Sequence, residues 1–254
     1  LGPQIGWDTV FFIEYAGPLF LYGALFLLPQ CFYASTSLAE AKGQDSKNIF
    51  PFYLFPINQI NELCGATTLK VQDNAYYAWI LWSIHYSKRI LETAFVHRFS
   101  HGTMPLFNLF KNSSYYWGFA LYVAYHVNHP LHTPPPAWLF YLGASLFILC
   151  EIGNLSVHIL LRNLRPEGTN VRKIPLPDSN PFTLLFNYVS CPNYTYEYGA
   201  WVGFGLLTGC LPVFLFALAG LYQMAVWAVG KHKKYRSEFP NYPKQRKAIL
   251  PFIL

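Results

Sequence analysis

Charge is what this sequence has least of. Asp, Glu, Lys and Arg make up 12% of its 254 residues, about half the share of an ordinary water-soluble domain. So few charges cannot cover a globule in water, which excludes an ordinary soluble enzyme and leaves lipid as the solvent for much of the surface. Cysteine is thin and scattered: Cys31, Cys64, Cys150, Cys191 and Cys210 form no CxxC pair and no Cys/His ligand spacing. An odd count with two members inside apolar runs reads as free thiols, so neither a disulfide framework nor a metal site is expected. A GxSxG elbow, an HExxH pair and a phosphate-binding glycine loop are missing too. "GFGLLTG" at 203–209 resembles GxGxxG only superficially, because its spacing is wrong, it lies in an apolar run and no strand precedes it. Small residues at a helix–helix contact explain it better.

What is there is apolar and aromatic, 53% and 19% of the residues, with the prolines and glycines placed between apolar runs rather than in a disordered tract. A helix needs about 20 apolar residues to cross hydrocarbon. Candidate spans lie at 10–28, about 75–97, about 115–128 and about 138–161, followed by an apolar block at 199–229 that Pro212 interrupts. That block is too long for one span and short for two, so five or six helices are predicted. Residues 35–74 are mostly polar with an aromatic island at 49–57, and read as a long loop with a re-entrant or interfacial piece. The basic runs "KHKKYR" (231–236) and "KQRK" (244–247) follow the last apolar run, which puts the C-terminus in the cytosol by the positive-inside rule. Anionic headgroups account for most of this cluster, and no nucleic-acid partner is expected. The chain starts at Leu1 rather than Met and shows no signal-peptide pattern, so it reads as a fragment or a processed form.

Two spans carry ionisable stripes. In the second, His85, Lys88, Arg89 and Glu92 fall at i, i+3, i+4 and i+7, on one helical face. A charge at mid-bilayer costs about 3 kcal/mol on insertion scales, so such a row needs partners or water and usually marks a site. The competing reading is a helix near the interface that snorkels its charges. In the fourth span Glu151, Asn154, His158, Arg162 and Arg165 again share one face. Asn, His and two Arg converging toward one end suit a polyanion, since guanidinium forks bind phosphate oxygens bidentately. Helix C-capping explains Arg165 and Arg172 but leaves Asn154 and His158 unexplained. The segment "VSCPNYTYEYGAW" (189–201) then sets Asn193, Tyr194, Tyr196 and Glu197 among apolar runs, as either an interfacial tyrosine belt or the lining of a site.

Five separated motifs, "HYSKRILETAFVHRFSHGTMPL" (85–106), "GNLSVHILLRNLRPEG" (153–168), "RKIPLPDSNPF" (172–182), "VSCPNYTYEYGAW" (189–201) and "KHKKYRSEFPNYPKQRKAILPFIL" (231–254), resemble the trans-2-enoyl-CoA reductase branch of the steroid 5α-reductase family. "LGPQIGW" and "EYAGPLF" near the start are similar too, whereas residues 35–74 depart from the family pattern. The resemblance implies an all-α integral membrane bundle of about six to seven transmembrane helices with no Rossmann domain. It would form a single reductase domain over 1–254, with its cofactor part at about 150–254. The family's ubiquitin-like N-terminal domain would lie before Leu1.

The implied activity is NADPH-dependent reduction of the C2=C3 bond of long-chain trans-2-enoyl-CoA in the endoplasmic reticulum membrane. That step closes each fatty acid elongation cycle and also serves sphingoid-base breakdown through trans-2-hexadecenoyl-CoA. Implied partners are the acyl-CoA, membrane lipid and other elongase components. By resemblance the cofactor pocket falls on Asn154, His158, Arg162, Arg165, Arg172, Asn193, Glu197, His232 and Tyr235. The catalytic set is Tyr194, Lys88 and Glu14, and the substrate side is Tyr86, Arg89 and Glu92.

The chemistry suits these residue types. Hydride addition to C3 builds negative charge on the thioester oxygen, which a pre-aimed donor or cation stabilises, and C2 must then gain a proton. A phenol ordinarily gives up its proton near pH 10, so Tyr194 would need adjacent cations such as Lys88 or Arg89. Three other readings stand beside this one: a 5α-reductase acting on a steroid 4-ene-3-one, a membrane S-adenosylmethionine-dependent methyltransferase of the isoprenylcysteine type, and a non-enzymatic scaffold of an elongase complex.

Overall fold

A computed structural model describes residues 2–32, 71–98, 102–166, 168, 169 and 171–254. The described residues fold mainly as helices: α1 (Trp7–Leu27), α2 (Val71–Phe95), α3 (Leu106–Val127), α4 (Ala137–Leu164), α5 (Pro192–Thr208) and α6 (Leu211–Glu238). Their only sheet is an antiparallel ribbon of β1 (Gln4–Gly6) and β2 (Thr103–Pro105), with Ile5 opposite Met104. A nucleotide-binding sheet of the Rossmann kind is thus absent from the described residues. Three helices, α1, α4 and α6, are long and apolar enough to cross a bilayer, which marks a membrane protein. The proposed re-entrant piece at 49–57 lies outside the described residues. Cys31, Cys150, Cys191 and Cys210 are free thiols, as expected.

Two boundaries differ from expectation. Helix α3 starts at Leu106, not near 115, because Asn108, Lys111, Asn112, Ser113 and Ser114 hide its first two turns under loop-like polarity. The 199–229 block is not broken at Pro212. Helix α5 ends at Gly209, whose φ of +63° makes a left-handed cap, and Pro212 sits in the first turn of α6, where its missing N–H costs nothing.

Close packing sets the frame of the site. The most extensive helix contact is α4 on α5. A Cβ on Gly143 would come within 2.4 Å of the Leu207 nitrogen, and one on Gly203 within 2.7 Å of both the Gly143 oxygen and the Phe147 nitrogen. Gly203 and Gly205 of "GFGLLTG" therefore serve helix contact, as the sequence suggested, while Gly209 caps α5. Helix α1 is tied to its neighbours by two indoles: Trp82 donates to the Pro18 carbonyl at 3.0 Å and Trp117 to that of Ile13 at 3.2 Å. Between these layers lies an aromatic core of Tyr22, Trp82, Tyr86, Phe147, Trp201 and Phe204.

One buried group in the α3–α4 connection makes the fold sensitive to acid. His132 Nε2 donates to the Thr208 carbonyl at 3.0 Å, and the Asn74 amide lies 3.5 Å away. Burial, helped by His126 and His129, pushes the His132 pKa down from 6.5 to about 4. The unfolded chain therefore takes up the proton first. Stability from the neutral ring is complete above pH about 6.5 and is lost as the pH falls through about 4. H132Q keeps an N–H donor for Thr208, and its melting temperature is expected to depend less on pH over that window. Equal slopes for the two proteins would contradict this account.

Candidate active site

The periodicity that aligns the polar residues of α2 also aims them at the matching row of α4. His85 Nδ1 donates to Glu151 Oε1 at 2.7 Å, and its Nε2 lies 3.5 Å from Glu197 Oε1. Lys88 Nζ donates to Asn154 Oδ1 at 2.7 Å, stands 2.8 Å from Glu151 Oε2 and 3.8 Å from Glu92. Arg89 reaches Glu92 at 2.6 Å and donates to the Tyr15 hydroxyl at 2.8 Å, with its guanidinium 5.0 Å above the Tyr15 ring. His158 Nδ1 donates to Glu92 Oε1 at 3.0 Å. His85, Glu92, Glu151, Asn154 and His158 are buried, so the rows turn inward and pair with each other rather than snorkelling. Three carboxylates, Glu92, Glu151 and Glu197, lie around Lys88, Arg89 and His85 here.

Helix α5 extends the network through the segment at 189–201. Asn154 Nδ2 donates to the Asn193 carbonyl at 2.9 Å and lies 3.4 Å from Glu197, whose other oxygen accepts from the Trp201 indole at 3.0 Å. Asn193 and Glu197 thus join Asn154 as the sequence suggested. Tyr194, next along the chain, turns to a different cation. Lys231 of α6 donates to its hydroxyl at 2.9 Å, with Nζ 4.8 Å from the ring centroid. The expectation that Lys88 or Arg89 serves Tyr194 is corrected: both are engaged by the carboxylates, Asn154 and Tyr15 of the inner cluster.

The other candidate residues form an outer group. Arg172 pairs with Glu238 at 2.8 Å and lies 5.5 Å over the Tyr235 ring, which stacks on Tyr242 at 5.4 Å. His232 Nδ1 and the Tyr242 hydroxyl both lie 2.6 Å from Ser190 Oγ. Arg246, buried, donates to the Pro175 carbonyl at 2.9 Å, which ties the C-terminal tail to the segment after α4. Arg165 is not in this group. It donates to the Arg98 carbonyl at 2.8 Å, while Arg98 donates to the carbonyls of Arg162 and Arg165. Glu14 is buried on α1 with Oε1 unpartnered, its carboxyl bonded to Asn112. The Tyr86 hydroxyl is buried and unpartnered as well.

Glu92, His97 and His158 hold one oxygen and two ring nitrogens within 4.8 Å of one another, a spacing that could hold a metal ion. Arg89 is 2.6 Å from that carboxylate and 3.4 Å from His158. A guanidinium thus already stands beside this carboxylate, which His158 also meets at 3.0 Å.

Comparison with known proteins fixes the family. A model described as 3-oxo-5-alpha-steroid 4-dehydrogenase matches residues 102–254. The chain belongs to this family. Over its whole length it is 52% identical to a probable very-long-chain enoyl-CoA reductase of Caenorhabditis elegans, covering 74% of that protein. It is 49% identical to the very-long-chain enoyl-CoA reductase of Dictyostelium discoideum, covering 72%. It is 38% identical to the trans-2,3-enoyl-CoA reductase-like protein of Homo sapiens, covering 62%. The family match takes in α3 to α6 and hence the Asn154, Tyr194 and Arg172 groups. The Lys88–Arg89 row and Glu14 lie before that match, in the part of the chain that the enoyl-CoA reductase relatives also cover.

Sequence reasoning missed Tyr15, Ser190, Trp201, Lys231, Tyr242 and Arg246, which the fold joins to the candidate residues directly or through one another. Tyr15 directly follows Glu14, and Trp201 lies four residues after Glu197 on the same helical face, so both had a local signal. Lys231 was visible only as one more member of a basic run.

Proposed function

We propose that this chain reduces the C2=C3 bond of long-chain and very-long-chain trans-2-enoyl-CoA with NADPH, as a single membrane-embedded domain over 1–254. The setting is the endoplasmic reticulum, with the C-terminus cytosolic and other elongase components as neighbours. The observation that carries this reading is the buried polar network that runs from Lys88 through Asn154 to the Asn193 carbonyl, one residue before Tyr194, in a chain whose relatives are named enoyl-CoA reductases. A reductase needs donors for an anionic dinucleotide, a proton source and a stabiliser of developing charge, and the residues fit these needs in zones.

Arg172, His232 and Tyr235, with Arg162 and Arg165 at the end of α4, would hold the phosphates. Guanidinium forks suit a 2′-phosphate. Asn154, His158, Asn193 and Glu197 would hold the nicotinamide end, where amide and carboxylate groups suit a carboxamide. When bound, the nicotinamide supplies a hydride to C3. Negative charge then builds on the thioester oxygen, and Tyr194 either polarises that oxygen or gives its proton to C2. Lys88 would set an ammonium, paired with Glu151, beside Asn154, and Glu14 Oε1 and the Tyr86 hydroxyl bring buried oxygens without partners. Arg89 and Glu92 hold each other and shape the substrate side.

The family description favours a second substrate class, a steroid 4-ene-3-one. The deciding assay follows NADPH oxidation by purified protein with trans-2-hexadecenoyl-CoA and with a 4-ene-3-one steroid, and identifies the product. Saturated acyl-CoA formed from the thioester alone is expected. Oxidation with the steroid alone would reject the enoyl-CoA reading.

A further inference from the structure

We propose that Lys231 is the proton-supplying partner of Tyr194, a positioning residue that holds the phenol for protonation of C2 and restores its proton afterwards. This rests on the reading of Tyr194 as the proton donor. Several cations near the candidate site are neutralised by a carboxylate: Lys88 by Glu151, Arg89 by Glu92, Arg172 and Lys234 by Glu238. Lys231 forms no such pair among the described residues, and its hydrogen bond goes to the Tyr194 hydroxyl at 2.9 Å. An ammonium donating to a phenol oxygen makes a charge-assisted bond that strengthens as negative charge grows on that oxygen. It therefore favours the moment at which Tyr194 releases its proton.

Both partners sit on well-anchored structure. The first turn of α5 is fixed by Asn154 on the Asn193 carbonyl, by Thr195 donating to the Ile249 carbonyl at 2.5 Å, and by the Cys191 amide on the Ala248 carbonyl at 3.1 Å. Beneath the pair, Cys191, Met224, Ala228, Ala248 and Ile249 pack as a small core that joins α5, α6 and the C-terminal tail. Lys231 itself is exposed, so water can reach its amine.

The step balances. Hydride would leave the nicotinamide C–H bond to form the C3–H bond as the C2=C3 π electrons move toward the thioester oxygen. The Tyr194 O–H bond then breaks as a C2–H bond forms. The phenolate then takes a proton from Lys231 Nζ, and the amine regains one from water. No oxidant or reductant beyond the nicotinamide is needed.

The test compares the unsubstituted protein with K231M, K231R and Y194F. NADPH oxidation with trans-2-hexadecenoyl-CoA gives kcat, KM and the solvent isotope effect. The cofactor-free protein carrying 13Cζ-tyrosine gives the Tyr194 resonance, identified as the one missing in Y194F. K231M is expected to lower kcat by about 10- to 100-fold, leave KM within about twofold and raise the solvent isotope effect on kcat. K231R is expected to restore most of the rate, and the Tyr194 resonance is expected to move in K231M. The inference is overturned if K231M stays within about twofold of the unsubstituted kcat while Y194F loses activity, if the isotope effect is unchanged, or if the resonance does not move. Full activity of Y194F would instead sink the donor reading on which the inference rests. Should K231M fail to fold, K231Q is judged by the same criteria.

Discussion

Tyr194→Phe is expected to lower kcat for enoyl-CoA reduction by about 10²- to 10⁴-fold and to leave the fold intact. Phe keeps the ring and its packing against Cys191, Met224, Ala228 and Trp227, so only the hydroxyl is lost. Its partner Lys231 is exposed and can turn to water, which keeps the stability cost small. The reaction loses the group that would supply the C2 proton or polarise the thioester oxygen. A kcat within about threefold of the unsubstituted enzyme would contradict the role, as would loss of activity tracking a matching loss of folded protein.

Glu151→Gln is expected to be the most damaging single change to stability within the inner cluster. Glu151 meets both His85 at 2.7 Å and Lys88 at 2.8 Å in a buried setting. Gln has almost the same shape but no charge, so Lys88 would keep Asn154 and only a distant Glu92 at 3.8 Å. Breaking a buried pair by removing one partner leaves the other charge uncompensated, at a cost of about 3 kcal/mol or more. For a chain of this size that corresponds to roughly 5–10 °C in melting temperature. The double variant K88M/E151Q removes the stranded cation and is expected to recover part of the loss, because neighbouring sites do not add. Equal melting of E151Q and the unsubstituted protein would show that the network does not carry this stability.

The helical class and the inward rows were legible because both follow from periodicity within one helix. Polar residues at three- and four-residue spacing in an apolar helix must share a face, and burial then demands partners. Periodicity does not say which residues pair across helices. Lys88 has Glu92 four residues ahead, yet its closest carboxylate is Glu151 on α4. Tyr194 and Lys231 meet across a separation of 37 residues, which local pattern cannot reveal.

Helix ends were legible only where the signal was local. The break after α5 depends on a left-handed Gly209, and Pro212 reads from sequence as an interruption until its place in the first turn of α6 is seen. Charge pairing met a different obstacle. Charge type was visible, but the carboxylates that neutralise Lys88 and Arg89 come partly from other helices.

The central claim is tested most directly by following label into product. With NADPH deuterated at C4 of the nicotinamide on the transferred face, trans-2-hexadecenoyl-CoA is expected to yield saturated acyl-CoA carrying one deuterium at C3. Ordinary NADPH in heavy water is expected to place it at C2 instead. Acyl-CoA recovered with its double bond intact, or reduced without label at C3, would contradict the account.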